Sequence, residues 1–395
     1  MRFDPTDLAS SRDPYALLAE LRAAGPVVRL DSGFWAVSGY EAVLEALRHR
    51  GCGSGPIAQR YLASLPAGAA RDEMSHRINF LDPPDHTRVR SLVSKAFTPR
   101  RIADLVPWIA ATADRLVDSL ESESELDLLR RFAHPLPSLV ISELLGIPPE
   151  DRDRLTGWSD EVAPLLGLQV SDEDRERAVA ASEEFHAYLG IVLEERRRTP
   201  GDDLLSALLL AEENNERLSR VELLSLAATL YSAGHRTTRD LFCNGMSVLL
   251  GEPRLYREVV DRGWPVSEVV AEFLRYETPT LFVVRIPLEP IRLAGIDVGA
   301  YEPLLIFLAA ANRDPAVFPE PDLFRPRPEA PPALSFAYGA HYCLGASLAR
   351  TEAEVMLETL TRRWPRLERS DAGPLSWHQR GPFRGLDELR VRPNR

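Results

Sequence analysis

The 395-residue sequence predicts a mainly α-helical protein with a small β region, and three observations carry that prediction. From His86 to about Leu250 nearly every stretch repeats apolar residues at helical spacing. After Pro279 that pattern gives way to short runs rich in β-branched residues. The chain is 45% hydrophobic, enough for one large continuous core, and neither an internal repeat nor a separating linker interrupts it, so residues 1–395 are expected to form a single domain.

Taken in order, Pro14 to Ala23 repeats apolar residues as a helix does, and Val27–Leu30 with Phe34–Val37 reads as a hairpin. Residues 51–85 read as loop-rich. Amphipathic helices follow over Ile102–Leu120, Glu183–Arg198 and Val221–Leu250, with breaks at Pro99, Pro135-Leu136-Pro137 and Pro200-Gly201. A further helix covers Val266–Tyr276; Val283–Ile286 and Leu304–Leu308 read as strands. The proline-rich segment 312–334 excludes regular structure and runs into a glycine-bearing loop, Phe336–Gly345, ahead of a helix over Leu344–Arg363. Strand-like pieces close the chain around Leu386–Val391.

A net charge of −12 argues against a nucleic-acid binder, which needs a clustered positive field. Three widely spaced cysteines make no disulfide framework and suit a reducing, cytoplasmic setting. The N-terminus lacks the apolar core of a signal peptide, and no run of 18 apolar residues suggests a membrane span.

The chemistry is concentrated in Phe336-Ala-Tyr-Gly-Ala-His-Tyr-Cys343-Leu-Gly345. Cys343 falls at a helix N-terminus, where backbone N–H groups and the helix dipole favour a thiolate fit to ligate a metal. Gly339 and Gly345 allow a turn and close approach to a flat ligand, and Phe336 is placed to cover the sulfur. This Phe-x-x-Gly-x-His-x-Cys-x-Gly pattern resembles the haem-binding loop of the cytochrome P-450 superfamily, with one departure, Ala337, where the family usually has glycine. The resemblance implies the cytochrome P-450 fold, haem b (iron protoporphyrin IX) held axially by Cys343, and thiolate-assisted oxygenase chemistry.

Glu272-Phe-Leu-Arg275 is similar to the family's Glu-x-x-Arg pair, which braces the haem loop. The third member of that network usually comes from Phe-Asp-x-x-Arg; here Phe324-Arg-Pro-Arg327 departs from it, leaving Arg325 and Arg327 as alternatives. His86 and Arg90, four apart at a helix start, match the family's His-x-x-x-Arg, and Arg285 and His341 match its other two propionate partners.

The centre of the long helix, Ala233-Gly-His-Arg236-Thr237-Thr238, resembles the family's oxygen-handling Ala-Gly-x-Asp/Glu-Thr-Thr. Thr237, the alcohol, is retained; Arg236 replaces the acid and, always protonated, cannot supply a proton. Arg236 either pairs with Asp240 while another acid serves Thr237, or receives an anionic group of the substrate, or marks a less common reaction such as oxidative coupling or cyclisation. His235, Cys243 and Cys52 read as non-catalytic, Cys52 in a mobile glycine-rich stretch. Substrate contacts are expected from 51–85, Thr229–Gly234, Thr278–Val283 and Gly381–Phe383.

The resemblance thus implies a haem-thiolate monooxygenase that tailors a small organic molecule, in the setting of natural-product biosynthesis. Its similarity to soluble bacterial members implies a separate ferredoxin, with ferredoxin reductase, or flavodoxin as electron donor, docking where Arg90, Arg100, Arg101 and Arg350 gather. The rivals are a peroxide-driven peroxygenase acting on a carboxylate substrate and a catalytically silent haem-binding or recruitment protein.

Overall fold

The computed structural model describes residues 1–5, 8, 11, 13–167, 170–211, 217–371 and 373–394. Two compact units emerge, each assembled from separated stretches: one from 1–52, 105–137 and 236–395, the other from 53–104 and 138–235.

The first unit holds the β structure. Strands are β1 (Val27–Arg29), β2 (Trp35–Val37), β3 (Cys52–Gly53), β4 (Leu126–Asp127), β5 (Val283–Pro287), β6 (Ile291–Leu293), β7 (Ile296–Val298), β8 (Leu304–Ile306), β9 (Arg366–Arg369), β10 (Trp377–Arg380), β11 (Phe383–Leu386) and β12 (Arg390–Asn394). The expected hairpin forms, with Val27 opposite Val37, and β2 then pairs parallel to β8, which pairs antiparallel to β5. Val27, Val37, Val43, Leu47, Leu304, Ile306 and Leu334 are buried together on this sheet, each such side chain contributing roughly 1.5–3 kcal/mol of burial free energy. Cys52, expected in a mobile stretch, instead opens β3 at the sheet's edge beyond β5.

The β6–β7 hairpin was not legible in the sequence. Its two-residue turn, Ala294-Gly295, takes φ of 47° and 81°, the double positive φ of a type I′ turn that Asn-Gly or Asp-Gly would advertise. Leu304–Leu308 is likewise shorter as a strand than expected, because the chain turns into the helix Leu308–Ala311.

In the second unit, 51–85 is less loop-rich than its sequence suggests. Helices form at Gly55–Leu62 and Ala69–His76, and their exposed N-terminal amides are satisfied from afar. The Asp82 carboxylate accepts from the Ser54 and Gly55 amides at 2.7 and 2.8 Å, and Glu183 accepts from Ala69 at 2.7 Å. Leu62, Leu65, Met74, Val162, Leu165 and Ala178 form this unit's apolar core. Pro99 and Pro135 do not merely interrupt helices; each is the first residue of one, Pro99–Asp118 and Pro135–Leu145, where the missing N–H costs nothing.

The helices Val266–Tyr276, Arg220–Gly251 and Ala346–Arg363 lie close to their expected limits. Among the described residues, no helix is long and apolar enough to cross a membrane.

Candidate active site

Of the three cysteines, Cys243 is buried, Cys52 half-buried and Cys343 exposed. Burial raises the Cys243 thiol well above its ordinary range and pushes Cys52 up to about 11, with Arg285 opposing the shift at Cys52. Desolvation thus keeps two of the thiols protonated, and Cys343 alone combines exposure with a helix N-terminus.

The loop that presents Cys343 is defined by its backbone. The Cys343 amide donates to the Phe336 carbonyl at 3.0 Å, closing the loop two residues before the cap of the helix Ala346–Arg363. Gly339 has φ of 74°, and a Cβ there would lie 2.6 Å from the Leu47 carbonyl oxygen, so both conformation and space demand glycine. Arg350, seven residues beyond Cys343 on the same helix, sets its guanidinium 5.1 Å from the Phe336 ring centre. Ala337 takes φ 56° and ψ −158°, a region nearly reserved for glycine. Its side chain is small, but the departure from the family's glycine is a strained one.

Gly345 behaves differently from Gly339. Its φ of −85° suits any residue, and a Cβ there would meet no protein atom within 4 Å. The protein itself therefore does not require glycine at 345, which suits a position meant for the close approach of a flat ligand. An exposed thiol at a helix head, beside a backbone with room over it, fits a haem iron, to which Cys343 would supply the axial thiolate.

Arg285 lies half-buried on β5 opposite Leu304, its NH1 donating to the Val284 carbonyl at 2.8 Å. His341 ends a 3₁₀ turn over Gly339–His341, two residues before the cysteine. Both belong to the first unit with Cys343, Arg236 and Thr237. His86 and Arg90 belong to the second, in the helix Asp85–Ala96, His86 buried and Arg90 half-buried, one turn apart on one face.

Glu272 and Arg275 are each 5% exposed and bonded by two 2.7 Å contacts. Arg275 also donates to the carbonyls of Asn312, Pro321 and Leu323 at 3.2, 2.8 and 3.0 Å. Neither arginine alternative completes the network with its side chain, since those of Arg325 and Arg327 turn to Glu320; instead the Arg325 amide donates to Glu272 at 2.7 Å. The proline-rich meander 312–334 replaces a third charged group with backbone, and a buried pair so fully bonded escapes the usual desolvation deficit.

In the helix Arg220–Gly251, most residues are buried, yet Ala233 is exposed and Arg236 and Thr237 are half-buried. Positions 233, 236, 237 and 240 fall on one stripe by their spacing. Asp240, the expected partner of Arg236, is held by Arg239, whose Nε donates to Oδ1 at 2.8 Å and whose NH2 pairs with the same oxygen at 2.7 Å. His235 is fully buried, its Nδ1 2.9 Å from the Tyr231 carbonyl, which accords with a packing role. Of the arginines expected to face an electron donor, Arg100 pairs with Asp104 at 3.9 Å and Arg101 with Asp202 at 3.5 Å.

Comparison with known proteins agrees with this geometry. The cytochrome P450 family model matches residues 10–261 and 266–371. The chain is 37% identical to the cytochrome P450 monooxygenase PikC of Streptomyces venezuelae, over 96% of this chain and 91% of that protein. It is 32% identical to the polyketide biosynthesis cytochrome P450 PksS of Bacillus subtilis, over 99% and 98%. The crystal structure of P450BioI in complex with an acyl carrier protein ligated to hexadec-9Z-enoic acid superposes with a TM-score of 0.89, at 31% identity and covering 97% and 98% of the two chains. The chain with the cysteine loop, the buried Glu272–Arg275 brace and the Thr237 helix therefore belongs to the cytochrome P450 family of oxidoreductases, whose cofactor is haem.

Proposed function

We propose that residues 1–395 act as one haem-thiolate monooxygenase domain that oxidises a small organic substrate in natural-product biosynthesis, in the cytoplasm, with electrons from a ferredoxin or flavodoxin. The observation that carries the assignment is the exposed Cys343 thiol at the head of the helix Ala346–Arg363. Haem, when bound there, supplies activation of dioxygen and the oxidising equivalent. Cys343 would ligate its iron, and His86, Arg90, Arg285 and His341 would neutralise its propionates. Thr237 passes protons from its hydroxyl into the oxidation site, and Arg236, on the same helical stripe, pairs with a carboxylate of the substrate and so orients it.

The test is a titration of the ferric Soret band with hexadec-9Z-enoic acid and its methyl ester, then with matched acid and ester pairs of other scaffolds. A low-spin to high-spin shift with acids alone, abolished in Arg236→Glu, is the expected result. Equal shifts with acid and ester would remove Arg236 from substrate binding. Product formed with peroxide as readily as with ferredoxin, reductase and NADPH would favour the peroxygenase reading.

A further inference from the structure

A proton must reach Thr237 from somewhere, and arginine at 236 cannot provide it. Within the helix Arg220–Gly251 the sequence contains two carboxylates, Glu222 and Asp240. Glu222 lies 15 residues before Thr237, about 22 Å along the axis, and is bonded to Arg88. Asp240 is three residues after Thr237, on the same stripe, with Cβ atoms about 5–6 Å apart at that spacing.

The surroundings of Asp240 fix its carboxylate. It is 3% exposed, and Arg239 engages Oδ1, by a hydrogen bond from Nε and an ion-pair contact from NH2, leaving Oδ2 as the oxygen able to take a proton. Across from it runs β11, and a Cβ on Gly385 would come within 2.5 Å of Oδ1 and 3.0 Å of Oδ2. Only glycine at 385 leaves the carboxylate this space. One turn further along, the Asn244 side chain donates to the Arg384 carbonyl at 3.1 Å, locking helix and strand in register.

We propose that Asp240 is the relay acid for Thr237, taking over one helical turn away the part that Arg236 has vacated. The relay rests on the reading of Thr237 given above. Asp240 Oδ2 takes a proton from hydronium delivered through solvent, leaving neutral water, and hands it to Thr237 Oγ, while Thr237 releases its own proton towards the oxidation site. At Oδ2 and at Oγ one O–H bond forms and one breaks, the hydronium becomes water, the carboxylate is regenerated, and nothing is oxidised or reduced in the transfer. Asp240 acts through Thr237 and is a positioning residue, not a catalytic one.

Two measurements test this on the haem-loaded protein. In the resting state, the infrared carboxylate band lost in Asp240→Asn should shift in Thr237→Val; an unmoved band means that hydroxyl and carboxylate do not communicate and overturns the relay. In turnover, oxygen consumption, product and released peroxide are measured with a bacterial ferredoxin, its reductase and NADPH, using the acid or ester that gives the largest spin shift. Asp240→Asn should slow product formation by about 10²-fold, divert reducing equivalents to peroxide, and leave the substrate titration unchanged. Asp240→Glu should restore coupling. Loss of activity that Asp240→Glu does not rescue, and that tracks a lowered melting temperature, would make Asp240 merely structural. A Thr237→Ala variant that stays coupled overturns the reading beneath the relay, whereas an uncoupled Thr237→Ala beside a fully coupled Asp240→Asn overturns the relay alone.

Discussion

The cysteine loop and the centre of the long helix are specified in opposite ways. The loop is dictated by backbone: Gly339 beneath the Leu47 carbonyl, Ala337 in a strained conformation, and the Cys343 amide bonded back to Phe336. Each of those positions depends on its neighbours, so the loop keeps its motif nearly intact. The helix centre is regular, and any residue can occupy a position without disturbing the next. There a charge has inverted at Arg236 while Thr237 stays in place, and a carboxylate stands one turn on. Backbone-specified sites resist change; sites specified by side chains on a regular helix can redistribute their chemistry along it.

The contrast can be broken most completely at the thiol. Cys343→Ser should abolish the spectral signature of thiolate-ligated haem while leaving the melting temperature of the haem-free protein close to wild type, because the side chain is exposed there. Arg275→Ala, which strands the buried Glu272, should cost about 3–5 kcal/mol in urea unfolding and reduce haem loading, since three carbonyls lose their donor as well. Gly339→Ala should cost about 2–4 kcal/mol, and a fully stable variant would show that the loop tolerates more than its backbone suggests.

Smaller effects sharpen the same contrast within the helix headed by the loop. Glu352 is 1% exposed, and burial holds its carboxyl well above the usual carboxylate range. The folded protein therefore keeps a proton that the unfolded chain releases, and stability should fall as pH rises above the ordinary glutamate value, by at most about 1.4 kcal/mol per pH unit. Glu352→Gln should flatten that slope in urea midpoints between about pH 5 and pH 8. Least of all, Ala337→Gly should stabilise by about 1 kcal/mol, measured as a raised melting temperature with an unchanged Soret band.

What the sequence disclosed follows the same division. The Cys343 loop and the Glu272–Arg275 spacing were legible because their determinants lie within a few residues of one another. The helices between 51 and 85 were not, because the groups capping them, Asp82 and Glu183, lie 27 and 114 residues from the amides they bind. The β6–β7 hairpin escaped because alanine occupies a turn position whose φ normally selects Asn or Asp. Asp240 was visible only as a partner for Arg236; its fixing by Arg239 and the Gly385 backbone depends on a strand that arrives some 145 residues later.

The amide of Arg325 on Glu272 reaches beyond the brace itself. A hydrogen bond made by the main chain is indifferent to the side chain above it, so the meander carries no selective demand for arginine at 325. Saturation mutagenesis there should return a flat landscape across nineteen amino acids and a single sharp drop at proline, the one residue whose main chain has no hydrogen to give.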